Sequence, residues 1–170
     1  MDWYRDPEFT DPYPFTVMPP ADIMVYAKWQ FVIYFDSQGG SPVSKISEPA
    51  GSALGAPDDP TREGHAFGGW FLYEETVPYV FSSMPKESLT LFAKWTINQY
   101  SISFVTNGGT AVETVTQDFG TTVSRPADPT KEENTFVDWY SDPERTQVYV
   151  FSTMPAQNVY LDARWQLPTN

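Results

Sequence analysis

Hydrophobic and polar residues alternate along this chain in short, well-separated runs. Phe31, Ile33 and Phe35 alternate with Val32, Tyr34 and Asp36, and Tyr100, Ile102 and Phe104 alternate with Ser101, Ser103 and Val105. Period-two placement of aromatic and branched residues predicts strands. Gln38-Gly39-Gly40 and Asn107-Gly108-Gly109 follow, and they supply the positive-φ residues of a tight hairpin turn. Return strands are expected around Pro42–Ser47 and Ala111–Thr116. A last strand puts Leu89, Leu91, Ala93 and Trp95 on one face, and Val159, Leu161, Ala163 and Trp165 repeat it. Ile23, Val25, Ala27 and Trp29 carry the same pattern near the start. In the middle stand Pro60-Thr61-Arg62-Glu63-Gly64 and Pro129-Thr130-Lys131-Glu132-Glu133. With Asp59 or Asp128 as N-cap and proline at the first helical position, this stretch predicts one short helix or turn. No segment keeps helical periodicity over a longer span. The expected unit is ββ–short helix–ββ, an α+β class that is mostly β.

The pattern recurs because the chain repeats itself. Phe35-Asp36-Ser37-Gln38-Gly39-Gly40 aligns with Phe104-Val105-Thr106-Asn107-Gly108-Gly109, and Asp59-Pro60-Thr61 with Asp128-Pro129-Thr130. Trp70 then meets Trp139. After one inserted residue, Tyr79-Val80-Phe81-Ser82-Ser83-Met84-Pro85 meets Tyr149-Val150-Phe151-Ser152-Thr153-Met154-Pro155. A third, partial copy opens the chain: Trp3-Tyr4-Arg5-Asp6-Pro7 matches Trp139-Tyr140-Ser141-Asp142-Pro143, and Phe15, Met18-Pro19 and Ala27-Lys28-Trp29 fall into place behind it. The expected order is a half-repeat over 1–29, a full repeat over 30–95, a linker at 96–99, a full repeat over 100–165, and a tail at 166–170.

The run from a Phe-x-x-x-Gly-Gly hairpin, through Pro-Thr-Arg-Glu-Gly-His-Ala-Phe-Gly-Gly-Trp at 60–70, to Met84-Pro85 and Leu91-Phe92-Ala93-Lys94-Trp95 resembles the Listeria–Bacteroides repeat, also called the internalin B B-repeat. The resemblance covers nearly the whole chain. It implies tandem small β-grasp (ubiquitin-like) domains of mixed β-sheet with one short helix, in arrays on exported or wall-attached bacterial surface proteins. It carries over no catalytic residue. Glu133-Asn134 depart from the family's glycine–aromatic pair, and Gly64-His65 keep only the glycine.

Composition narrows the chemistry. Ten Lys and Arg stand against 22 Asp and Glu, a formal charge of -12, which repels nucleic acid and anionic membrane surfaces. No apolar run reaches the length of a bilayer span, so no membrane insertion is expected. Met1-Asp2-Trp3-Tyr4 lacks the basic and apolar regions of a signal peptide, so export signal and anchor are expected outside this segment. With no cysteine there is no disulfide framework and no thiolate chemistry. The single histidine, His65, faces Asn134 in the other copy, so a catalytic role would exist in only one repeat. Carboxylates at Asp58-Asp59, Glu74-Glu75, Glu132-Glu133 and Asp142 with Glu144 change between copies and form no Asp-x-Asp-x-Asp-Gly loop. They are read as a solvated acidic surface, with no metal and no cofactor expected. Neither a nucleophile elbow nor a phosphate-cradling glycine loop is present. Lys28 and Lys94 give way to Arg164, which argues against a shared isopeptide bond at that position.

Recurring aromatics are assigned to the core of each repeat: Trp3, Trp29, Trp70, Trp95, Trp139, Trp165, Phe35, Phe104, Phe81 and Phe151. A binding face is expected instead from Tyr26, Phe92, Tyr160 and Tyr73, which the alternation places outward or in loops; the first three are taken as equivalent positions of the three copies. The resulting expectation is a non-enzymatic stalk of a bacterial cell-surface protein, lying outside the cell, that engages a host or neighbouring-cell surface protein or glycan. The competing reading is a direct adhesin using those aromatics and the acidic loops, with an enzyme a distant third. The half-repeat is expected to pack on the next repeat or to mediate self-association, because an isolated strand pair is marginal in water.

Overall fold

The computed structural model describes residues 2–17 and 19–167. Met18, expected beside Pro19 in the half-repeat, and residues 168–170 of the tail lie outside the described residues. Ten strands and no helix are present among the described residues. They are β1 (Asp2–Tyr4), β2 (Tyr26–Lys28), β3 (Gln30–Asp36), β4 (Ile46–Pro49), β5 (His65–Phe71), β6 (Leu89–Ile97), β7 (Gln99–Val105), β8 (Val115–Asp118), β9 (Thr135–Tyr140) and β10 (Val159–Gln166). One compact unit runs through Thr61 and resumes over Phe67–Lys94; the other takes Arg62–Ala66 and the chain from Trp95 onward.

In the first unit a four-stranded sheet is ordered β4-β3-β6-β5, and β1 and β2 form a separate pair. Strand β3 runs antiparallel to β4 (Ile33 opposite Ile46) and parallel to β6 (Ile33 opposite Leu89, Phe35 opposite Leu91). The second unit repeats the plan as β8-β7-β10-β9, with Ile102 opposite Val159 in the parallel centre and Trp139 opposite Ala163 across the antiparallel pair. Each repeat thus opens and closes on neighbouring parallel strands. The hairpin turns form as expected: Gln38 and Gly39 take φ of 49° and 86°, and Asn107 and Gly108 take 50° and 90°. Positive φ at both central residues is the requirement of a type I′ turn, whose twist matches that of the strands.

The core recurs residue by residue. Trp139, Ile102, Met154 and Leu161 are completely buried, with Val123 and Ala163 beside them. Trp70, Ile33, Met84 and Leu91 hold the same places in the first unit. Phe104 meets Trp139 edge-on at 4.8 Å and stacks with Phe151 at 6.3 Å; Phe35 meets Trp70 and Phe81 at the same two distances. Large rings are what a unit this small uses to bury enough area. Trp165 and Trp95 are only partly buried. Trp165 closes the hairpin, donating its indole N–H to the Thr106 carbonyl at 2.9 Å.

Three expectations need correction. The fold is all-β, because the stretch after Asp59 and Asp128 forms no helix. The reason is local. The Thr61 amide donates to Ser41 Oγ while its carbonyl accepts from the Ser41 amide, and Thr130 does the same with Thr110. Those cross-links to the segment after the hairpin turn occupy the groups a first helical turn would use, and a tight turn at Glu63-Gly64 or Glu132-Glu133 follows. The return strands begin later than expected, at Ile46 and Val115, since Ser41 and Thr110 are held by those same cross-links. Finally, Trp3 and Trp29 are 37% and 60% exposed and do not belong to a core. Among the described residues no strand equivalent to β3 pairs with β2, and strand shrinks to Tyr26–Lys28 where a run from Ile23 was expected.

Candidate functional site

Strand register decides which aromatics share a place in the repeat. Asp36 lies opposite Phe92 in the first sheet and Val105 opposite Asp162 in the second. Tyr4 opposite Tyr26 matches Tyr140 opposite Asp162. Phe92, Tyr26 and Asp162 are therefore the equivalent positions, and Tyr160 corresponds to Thr90, which faces Tyr34 as Tyr160 faces Ser103. The expected equivalence of Tyr160 with Phe92 fails by two residues, which keeps a side chain on the same sheet face and so escapes a period-two reading.

The structure brings two of the four expected binding-face residues together. Phe71 ends β5, and the turn behind it carries Leu72, Tyr73 and Glu74, the last with φ of 60°. This turn lays Tyr73 against Phe92 of β6, edge to face at 5.9 Å, while Tyr73 stays 73% exposed. Lys94 Nζ sits 4.2 Å from the centre of the Phe71 ring and donates to the Glu75 carbonyl at 2.7 Å, which pins the turn to the strand. Gln38 of the hairpin turn closes the rim of a shallow depression of about 290 Å³ floored by Phe71, Tyr73 and Phe92. An apolar floor with amide, carboxylate and ammonium groups at its edge, from Gln38, Glu74 and Lys94, suits a ligand that has one apolar face and several hydroxyl or amide groups.

The second repeat has exchanged that surface for a polar one. Asp142 stands where Tyr73 stands, and Asp162 replaces Phe92. Asp142 accepts from the Thr146 amide at 2.9 Å, the Thr146 hydroxyl at 2.9 Å and the Gln147 amide at 2.7 Å. Asp162 accepts from Asn107 Nδ2 at 3.1 Å and pairs with Arg145 at 3.7 Å. The half-repeat has the same acidic turn, in which Asp6 accepts from the Thr10 amide and hydroxyl and the Asp11 amide. These backbone bonds, led by those from Thr10 and Thr146, hold both carboxyls below the usual range. Stability from such a group is present while it is charged and is lost as pH falls through its folded value. Accordingly, Asp142→Asn is expected to remove part of the acid-side loss below about pH 4. Acid unfolding followed by circular dichroism, with wild type and variant alike in their pH dependence, would contradict this.

Tyr160 is 67% exposed in the second unit, beside a depression of about 490 Å³ lined by Asp142, Tyr149, Asn158 and Asp162. Tyr26 is half-buried in the half-repeat. His65 has Nδ1 2.8 Å from the Glu63 carbonyl and its ring 6.1 Å from Phe119. No group of three or more His, Asp or Glu among the described residues is placed to hold a metal ion. No helix among them is long and apolar enough to cross a membrane.

Two features escaped the sequence reading. The acidic turns had a visible signal, since Asp-Pro-x-x-Thr occurs at both Asp6–Thr10 and Asp142–Thr146. Arg125 had none, because Ala56 holds its place in the first repeat. Arg125 donates to Asp138 at 2.7 Å and Asp128 at 3.0 Å, with its guanidinium beside the Phe136 and Phe151 rings. It ties the middle segment to β9.

Comparison with known proteins agrees with this repeated plan. The Listeria-Bacteroides repeat domain matches residues 31–94 and again 100–164. A putative membrane protein of Evansella cellulosilytica is 38% identical over 97% of this chain and 26% of its own length, and a putative Gly-rich membrane protein of the same organism is 36% identical over 88% and 18%. Internalin H of Listeria monocytogenes is 30% identical over 79% of this chain and 25% of its own length. The chain thus spans about a quarter or less of these relatives. Two family matches, each on one of the duplicated four-stranded sheets, mean that the chain belongs to the Listeria–Bacteroides repeat family.

Proposed function

We propose that the chain is a non-catalytic repeat region of a bacterial cell-surface protein, lying outside the cell and holding other parts of that protein at a distance from the envelope. One observation supports this most. What the two copies share is the core, with Ile33, Trp70, Met84 and Leu91 answered by Ile102, Trp139, Met154 and Leu161. What they do not share is surface chemistry, with Tyr73, Phe92 and His65 answered by Asp142, Asp162 and Asn134. A reaction would require its acids, bases or ligands to be retained. A spacer requires only that the unit fold again, and stacking repeated units is how such proteins gain length.

An adhesive role for the first full repeat is the second reading, favoured by the Tyr73–Phe92 pair. Its ligand would be a glycan or a protein loop on a host or neighbouring cell, with a sugar face or apolar side chain laid on the rings. The test is a binding screen of the purified chain against glycans, extracellular-matrix proteins and cell surfaces at low and high salt. Saturable binding that survives high salt and weakens at least about tenfold in Tyr73→Ser and Phe92→Ser supports adhesion. Tyr160→Ser is expected to leave that binding unchanged. Absence of any such binding leaves the spacer reading alone, and hydrolysis or modification of any screened ligand would overturn the non-catalytic reading.

A further inference from the structure

Positive charge is scarce in this chain, and part of it gathers at one place in the second unit. Three of the ten lysines and arginines, Lys131, Arg145 and Arg164, line a single depression of about 630 Å³. Asn107 of the hairpin turn, Glu144 and Trp165 also line it. None of the three cations is hydrogen-bonded to a carboxylate among the described residues. Lys131 Nζ donates to the Asn107 carbonyl at 2.9 Å and sits 5.8 Å from the centre of the Trp165 ring. The Arg164 guanidinium lies 5.7 Å from the Tyr140 ring centre. Arg145 approaches Asp162 only to 3.7 Å, too far for a hydrogen bond, and its buried Nε–H meets no acceptor among the described residues. Arg125 of the same unit donates to two carboxylates, at 2.7 Å and 3.0 Å, so a shortage of acids is not the reason.

Local structure does not require arginine here. The half-repeat builds the same turn, Asp6-Pro7-Glu8-Phe9-Thr10 against Asp142-Pro143-Glu144-Arg145-Thr146, with φ of 58° at Phe9 and 54° at Arg145. The amide of each donates to the aspartate carbonyl three residues back, at 3.3 Å and 3.0 Å. Phenylalanine serves this turn as arginine does, so the turn leaves the charge unexplained. The first repeat has no arginine in its shorter turn. In the place of Asn107 and Arg164 it carries Gln38 and Lys94, in the depression floored by Tyr73 and Phe92. A depression at this place is thus common to both full repeats, and its cationic lining belongs to the second.

We infer that the depression lined by Lys131, Arg145 and Arg164 binds the carboxylate of an acidic sugar, a hexuronic acid residue of a glycan. Charge balance sets the class. Three positive groups stand with two negative ones, Glu144 and Asp162, and the excess of one suits a singly charged group. A dense polyanion is repelled by the formal charge of -12 on the whole chain. The paired N–H donors of a guanidinium match the two oxygens of a carboxylate. Sugar is favoured over peptide by the rest of the wall. There the Glu144 carboxylate and the Asn107 amide oxygen can accept from hydroxyls, and the Trp165 ring offers a surface to C–H groups. The site shares no residue with the Tyr73–Phe92 pair and does not depend on adhesion by the first repeat.

The test is a titration of the intact, isotope-labelled chain with methyl β-glucuronide, followed by nuclear magnetic resonance. The amides of Asn107, Arg145 and Arg164 are expected to shift saturably. Methyl β-glucoside, which lacks the charge, should shift none of them. Arg145→Gln is expected to weaken binding at least about tenfold, and the more exposed Arg164→Gln at least about threefold. Unchanged amide signals of β7 and β10 away from the depression show that each variant is folded. Tyr73→Ser is expected to bind as wild type does, which separates this site from that of the first repeat. No saturable shift, an equal response to the glucoside, or unaltered affinity in either arginine variant would overturn the site. Tighter binding of methyl β-glucoside sulfated at its primary hydroxyl would overturn the carboxylate, and tighter binding of the peptide acetyl-Gly-Glu-Gly-amide would overturn the sugar.

Discussion

Trp139→Ala is expected to destabilise the second unit by about 3–5 kcal/mol, the range for removing a buried aromatic side chain. Trp139 is completely buried and stands at the meeting point of Phe104, Phe136 and the parallel centre of the sheet, so no neighbour can close the space without leaving its own contact. Against a typical domain stability of about 5–15 kcal/mol, this is enough to leave the unit partly unfolded. Trp3→Ala is the internal control. It removes the same side chain from the same local register, yet it is expected to cost less than about 1 kcal/mol because Trp3 is already in contact with solvent. Hydrogen exchange of the Ile102 and Leu161 amides reads the second unit, and that of the β2 amides reads the half-repeat that holds Trp3. Equal losses in the two variants would show that repeat alignment, rather than burial, predicts cost.

Gly109→Ala is expected to cost about 1–3 kcal/mol, although alanine is the smallest change available. A Cβ at Gly109 would run into the six-membered ring of Trp165 and lie 3.2 Å from the Thr130 carbonyl oxygen. The indole cannot step aside freely, because its N–H is bonded to the Thr106 carbonyl of the same hairpin. The two residues should therefore be coupled: in a Trp165→Ala background, Gly109→Ala is expected to cost less than about 0.5 kcal/mol. Additive losses in a double-mutant cycle measured by urea unfolding would mean that the ring does not set the limit.

Much of the architecture was legible in the residues. Strands β3, β7, β6 and β10 follow from alternation, and the hairpins from Gln38-Gly39 and Asn107-Gly108, because a strand's period and a type I′ turn are local properties. The helix was misread because Asp-Pro is a helix start only when the next amides are free for capping. Ser41 and Thr110, about 20 residues away in the chain, claim Thr61 and Thr130 first, and that competition is tertiary. The binding face was half legible for a similar reason. Alternation says which side of a strand a residue occupies and nothing about where along it; the match of Leu91 and Ala93 with Leu161 and Ala163 already set Phe92 against Asp162, and strand pairing bears that out. The contact of Tyr73 with Phe92 depends on a turn whose shape rests on a positive φ at Glu74, a residue with no sequence signal for it. Burial of Trp3 and Trp29 was misjudged because a motif specifies a residue's place in a fold, while its burial depends on a covering hairpin that is not among the described residues.

The parallel pairing of first and last strands bears on how the repeat meets mechanical load. When a repeat is pulled by its two ends, force enters at the start of β7 and leaves at the end of β10. Because these neighbours run in the same direction, from Ile102–Val159 to Val105–Asp162, the pull slides one along the other and strains their bonds together rather than peeling them apart in turn. The weakest direction of a sheet, unzipping from a strand end, is not the one tension selects here. A chain built of such units resists being stretched through the same pair of strands that closes its core.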